Sequence, residues 1–188
     1  MNYLIKYFFL FFFVQFSYAQ TVYEIDDIYD NYPDQTIFVC DGVFEDSNNS
    51  ISQPGYYVNN EDYTVTICPD GAGQYLQLDF TEFDVLGNVN AAGSPLLDFM
   101  TIYNGTDTSG SGMPYAGSMS SGASSIPGII DAVINADNPN GCLTISFVSN
   151  GIGGRPGWSA EISCFVPCQE ITNASVDSSA ALNGASFS

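Results

Sequence analysis

The sequence has no histidine and only two basic residues, Lys6 and Arg155. Without histidine, Ser-His-Asp catalysis, Cys-His catalysis and histidine-bound zinc are excluded. Lys6 lies in a leader that is removed on the reading below, which leaves no lysine for Schiff-base chemistry. No pair of carboxylates stands in a recognisable acid/base context. Against the two cations stand 21 acidic residues, for a formal net charge of −19. Such a surface draws no anionic polymer, which excludes nucleic acid and acidic membranes as partners. A cation is the natural complement, although a solvated acidic exterior accounts for most of these residues. Helical periodicity is also missing: no ten-residue stretch carries it, which argues against a helical body.

What is present begins with an export leader. One positive charge at Lys6 precedes an apolar run over 7–16, and Ser17-Tyr18-Ala19 ends in small residues, so 1–19 reads as a signal peptide cut before Gln20. The run is short for ~30 Å of hydrocarbon, and no second apolar span follows, so no membrane insertion is expected once it is removed. Five cysteines follow, at 40, 68, 142, 164 and 168. An exported chain meets oxidising conditions, so disulfides are expected, with one cysteine left over. Residues 20–39 mix acids and aromatics without a period and predict a loosely held acidic arm with at most one short strand. Residues 40–164 form the folded domain. The small, polar stretch 165–188 reads as a linker or the start of a further domain, as if the chain were the front of a longer protein.

The domain is read as a series of strands. Leu76, Leu78 and Phe80 alternate with Gln77, Asp79 and Thr81; Phe83 and Val85 then fall out of phase, which predicts a β-bulge. A second central strand over 98–103 ends at Asn104-Gly105, a strong turn signal. Tyr63, Val65 and Ile67 alternate with threonines up to Cys68; Leu143, Ile145 and Phe147 form another strand; Trp158, Ala160 and Ile162 form a third. Short strands with Gly and Pro turns predict an all-β sandwich or jelly roll. Trp158 is in phase with Ala160 and Ile162, so core packing is expected of it. Arg155 is expected to partner a nearby carboxylate. Tyr57, Tyr103 and Tyr115, with Tyr56, lie near turns and are candidate contacts for a glycan or protein. Asn48, Asn104 and Asn173 match the short glycosylation pattern.

Taken in order, CDGVFEDSNN, GYYVNNEDYTVTICPDG, LQLDFTEFDV, LDFMTIYNG, GCLTISFVSNG and GWSAEISC resemble the CUB domain, in the version found in secreted bacterial multidomain proteins. The resemblance implies a two-sheet antiparallel jelly-roll sandwich that makes protein or carbohydrate contacts without catalysis. It implies a Cys40–Cys68 link and pairs Cys142 with Cys164. The residues themselves sit awkwardly with the second pair: Cys142 shares a face with Thr144, Cys164 with Ile162, so a link between sheets or at frayed ends suits better than a flat hairpin. Each link is worth ~2–4 kcal/mol. Cys168 has no partner on this reading. A second cystine common in the family is absent, Pro95 standing at one of its places.

Many members hold calcium at one end of the sandwich. The matching positions here are Leu86, Asp98 and Asn150, of which only Asp98 is acidic. Calcium takes ~6–8 oxygens, so the resemblance implies a degraded site. Glu82 or Asp84 could substitute if the bulge turned one inward, and Glu45 and Asp46 are further candidates. The expectation is a secreted or cell-surface, non-catalytic adhesion module with calcium as its one potential cofactor. The alternative is an accessory domain of a larger secreted hydrolase, protease or glycosidase, whose catalytic part lies elsewhere.

Overall fold

The computed structural model describes residues 19–48, 54–89, 95–121, 125–133 and 135–166. Residues 1–18 of the leader, Cys168, Asn173 and nearly all of 165–188 fall outside them. In chain order the elements are β1 (Val22–Glu24), α1 (Ile25–Asn31), β2 (Thr36–Phe38), β3 (Val43–Glu45), β4 (Asp62–Cys68), β5 (Tyr75–Val85), β6 (Gly87–Val89), β7 (Pro95–Leu97), β8 (Phe99–Asn104), β9 (Met113–Tyr115), β10 (Gly117–Ser118), β11 (Ile129–Asp131), β12 (Leu143–Val148) and β13 (Gly157–Phe165).

Two sheets face each other. One runs β1-β3-β13-β5-β10, with β11 also on β5; the other runs β2-β4-β12-β8-β9; β6 and β7 form a small hairpin. The pairs are antiparallel except at one edge of each sheet, where β1 lies parallel to β3 and β2 parallel to β4. The two stretches expected at the heart, β5 and β8, lie in opposing sheets. Leu76, Leu78 and Phe80 of β5 point inward, as do Phe83 and Val85. The change of phase is absorbed at Thr81: Ala160 pairs with Phe80 while Ser159 pairs with Glu82, leaving one extra residue on β5. That is the bulge expected from the sequence. Trp158 is 2 % exposed and stacks edge-on with Phe147 (centroids 4.8 Å apart) and tilted against Phe44 (5.7 Å).

Residues 20–39 are not a loose arm. β1 adds to one sheet and β2 to the other, and α1 bridges the gap between them. Asp26 and Asp27 lie in its first turn, where helix-dipole charge favours acids. It stops before Pro33, which disfavours helix in the preceding residue. Ile25 and Ile28, three apart on one face, and Ile37 of β2 are fully or almost fully buried in the core. These three sit on two different element types, so no single period connects them in the sequence.

The cysteine pairing also differs from the expected one. The bonds are Cys40–Cys164 and Cys68–Cys142, with Cα atoms 5.1 and 4.2 Å apart. Register dictates this. Leu143 faces Ile67 across β12 and β4, so one step further Cys142 faces Cys68. Glu161 faces Val43 across β13 and β3, and Ile162 N–H donates to Gly42 O, which brings Cys164 opposite Cys40. β12 and β13 belong to different sheets, which is the physical content of the phase mismatch between Cys142 and Cys164. Both cystines therefore join neighbouring strands within a sheet, at one end of the sandwich.

Candidate functional site

The opposite end of the sandwich gathers the buried carboxylates, Asp46, Glu61 and Asp98. They sit where β3, β5 and β12 end and where β4, β8 and β13 begin. Asp98, just before β8, is fully buried. Its Oδ2 accepts the Tyr57 hydroxyl (2.8 Å) and its Oδ1 accepts Asn150 N–H (2.7 Å). The Tyr57 oxygen in turn accepts Leu86 N–H (2.9 Å), and Asp98 N–H donates to Leu86 O (2.8 Å). Burial pushes the Asp98 carboxyl up, against the opposing pull of its bonds from Asn150 and Tyr57. Burial likewise pushes the Tyr57 phenol up, beyond the range in which it ionises in water.

This closed ring engages all three positions at which the resemblance implies calcium, Leu86, Asp98 and Asn150. Leu86 supplies a backbone N–H rather than a carboxylate. The Asn150 side-chain oxygen accepts Ile152 N–H (2.8 Å). Glu82 is exposed on the outer face of β5, because the bulge sends Phe80 and Phe83 inward and not the acid. Asp84 is half-buried and lines a surface hollow with Arg155, Leu86 and Gly117. Among the described residues no three acids, cysteines or histidines come together as a metal set. Both oxygens of Asp98 are already satisfied by protein donors, so these residues do not fit a calcium ion.

A second buried group lies beside the first. Asp46 Oδ1 accepts Asn48 N–H (2.8 Å) and its Oδ2 accepts Trp158 N–H (3.0 Å). Glycine is required at 157, where φ is +77° and a Cβ would collide with the Asp46 carboxylate. Ser47 Oγ donates to Glu61 Oε1. Glu61 is 5 % exposed, and its Oε2 has no hydrogen-bond partner among the described residues. Desolvation pushes the Asp46 carboxyl up to about 7, its two backbone bonds pulling the other way and Glu61 and Glu45 adding repulsion. Glu61 is also raised, first by burial. Sequence reading named Glu45 and Asp46 but not Glu61, which has no periodic or motif signal and acquires its place only when β4 starts beneath the loop after β3.

The tyrosines separate. Tyr57 is 0 % exposed and packs edge-on to Phe147 at 5.0 Å; it is a core residue, not a ligand contact, because its ring fills the sandwich and its hydroxyl closes the Asp98 ring. Tyr115 faces Met100 across β9 and β8, packs on the core, and has its phenol raised by burial. Tyr103 faces Thr144 on the outer side of its sheet and stays half-exposed. Nothing brings the three together. Arg155 O accepts Tyr57 N–H (3.2 Å).

A separate surface concavity lies elsewhere, in the mouth between the edge strands β1 and β2. This groove of about 680 Å³ is predominantly apolar, with Tyr23 on one wall and Ile37, Phe38 and Val39 on the other; Tyr32 and Asp34 also line it.

A scan against protein-family models finds no match, and a search of curated proteins finds none either. Solved structures do resemble the chain. The full extracellular region of zebrafish Gpr126/Adgrg6 matches with 15 % identity and a TM-score of 0.48, over 70 % of this chain and 14 % of that one. The CUB1-EGF-CUB2 segment of human MASP-1/3 matches with 21 % identity and a TM-score of 0.48, over 69 % and 41 %. The MASP-1 CUB2 domain bound to Ca2+ matches with 19 % identity and a TM-score of 0.46, over 68 % and 96 %. The fold is a β-sandwich of two mixed sheets, as the strand order shows. The chain spans 14 % and 41 % of the first two structures it resembles, and at these identities the likeness is one of fold.

Proposed function

We propose that the chain is an exported, non-catalytic binding module that holds a protein or glycan outside the cell. The supporting observation is the use made of its reactive groups. Every carboxylate buried at the polar end is tied to a backbone N–H or a hydroxyl, and histidine is absent from the chain. Such a network fixes loop geometry, and the two hydroxyls it sets against carboxylates, Ser47 on Glu61 and Tyr57 on Asp98, are buried with their partners, out of reach of a substrate. Two cystines and an aromatic core stiffen the scaffold, and a pre-ordered scaffold loses less entropy when it captures a partner. No described helix is long and apolar enough to cross a membrane.

The test is a glycan array together with a pull-down from the native cell surface, using oxidised chain from Gln20 onward. Retention of a defined glycan or protein, with no turnover of it, supports the module. Conversion of a bound substrate by this chain alone overturns it.

A further inference from the structure

The geometry points to the mouth between β1 and β2 as a docking site for an extended, basic peptide segment that adds to the free edge of β2; this rests on the binding-module reading above. Three observations carry it. The first is the edge itself. Val39 N–H donates to Cys68 O (2.9 Å), and successive residues of a strand direct their backbone groups to opposite sides. Phe38 N–H and C=O therefore point away from β4, toward the groove, and β2 has no strand on that side. An unpaired edge is a template for a further strand.

The second is a built apolar wall. Phe38 is 65 % exposed. Across from it, Tyr23 is held by Gly42, whose φ is +124° and where a Cβ would stand 2.6 Å from the Tyr23 ring. At one end of the groove Asp34 and Gln35 take left-handed φ of 54° and 50°, a costly conformation for residues other than glycine.

The third is charge. Asp34 lines the groove, and Asp41 is close enough to Tyr23 to help raise its phenol, behind burial and Tyr32. Arg155, the one basic residue among those described, lines the separate hollow with Asp84. An apolar trough with an acidic rim and a free strand edge fits alternating apolar and basic side chains. A second copy of this chain would bring its own excess of acids, so like charge disfavours it. A neutral glycan would leave the outward backbone groups without a ladder.

The probe is a displayed library of random octapeptides, selected on immobilised oxidised chain from Gln20 onward. The expected result is enrichment of peptides alternating Lys or Arg with apolar residues. Phe38→Ala, which trims an exposed ring, should weaken them at least tenfold. Asp34→Asn, an exchange that tolerates left-handed backbone, should weaken them two- to fivefold and flatten the salt dependence. Methylating alternate backbone nitrogens of the peptide should abolish binding. Enriched peptides indifferent to Phe38→Ala, or bound equally well when N-methylated, overturn the site while leaving the module reading intact. No enrichment overturns it too, whether or not the array retains a neutral glycan. Self-association by light scattering that Phe38→Ala abolishes would assign the edge to a second copy and overturn the peptide.

Discussion

Asp46 should make this fold's stability fall as pH rises through the weakly acidic range. A carboxyl whose value is higher in the folded than in the unfolded chain binds its proton more tightly when folded. Its penalty is absent below the unfolded value and complete above the folded one. Here the carboxyl moves from its ordinary 3.8 to about 7. That rise is about three pH units at ~1.4 kcal/mol each, on the order of 4 kcal/mol in all, of which roughly 3 kcal/mol falls between pH 4.5 and 8. This is large against the ~5–15 kcal/mol that holds a typical domain together. Urea unfolding of oxidised chain at several pH values measures it, with Asp46→Asn as the comparison. At pH 4.5 Asp46 is protonated, yet its hydroxyl oxygen can still accept weakly where its carbonyl oxygen does not, so both backbone donors, Asn48 and Trp158 N–H, keep an acceptor. The asparagine NH2 cannot accept, so the variant should be weaker by ~1–3 kcal/mol at that pH. At pH 8 it should equal or exceed the parent, since it never ionises. The repulsion among surface acids is nearly the same in both chains, so their difference isolates Asp46. An equal loss at both pH values would refute the reasoning.

Tyr57→Phe deletes the hydroxyl that bridges Asp98 and Leu86 N–H and should cost ~1–3 kcal/mol by denaturant titration, for two buried groups left short of a partner. Non-reducing digestion and mass spectrometry should yield Cys40–Cys164 and Cys68–Cys142 peptides; a Cys40–Cys68 peptide would contradict the register of β12 on β4. Replacing Cys68 and Cys142 together by alanine should cost ~2–5 kcal/mol, because the link closes a loop of 74 residues. Millimolar calcium against chelator should move the melting temperature by less than about one degree, since a ligand at 100 times its Kd would add ~2.7 kcal/mol of stability; a clear rise would show that Asp98 gives up its protein donors to a metal.

Much of the strand pattern is local and was legible. The bulge at Thr81 follows from two inward-facing sets on β5 that differ in phase, and Trp158 declared itself core by alternating with Ala160 and Ile162. The phase conflict between Cys142 and Cys164 was also legible, and it was sound: the two strands lie in different sheets. What replaced that pair was not readable, because Cys68 finds Cys142 only through the register of β4 on β12. Residues 20–39 misled for a related reason. Their three isoleucines enter the core from a helix and a strand, so they show no common period.

The sequence by itself determined the chemistry that is closed to this chain, the alternation that makes it β, and the acidic surface. Those properties depend on residue identity and on neighbours a few positions apart. Tertiary structure alone decided which cysteines bond, that Tyr57 is a core strut, that Glu61 lies buried beside Asp46, and that β1 and β2 leave a groove between two sheet edges. Each depends on strand register and sheet membership between segments far apart in the chain, where burial and pairing are settled by the whole core at once.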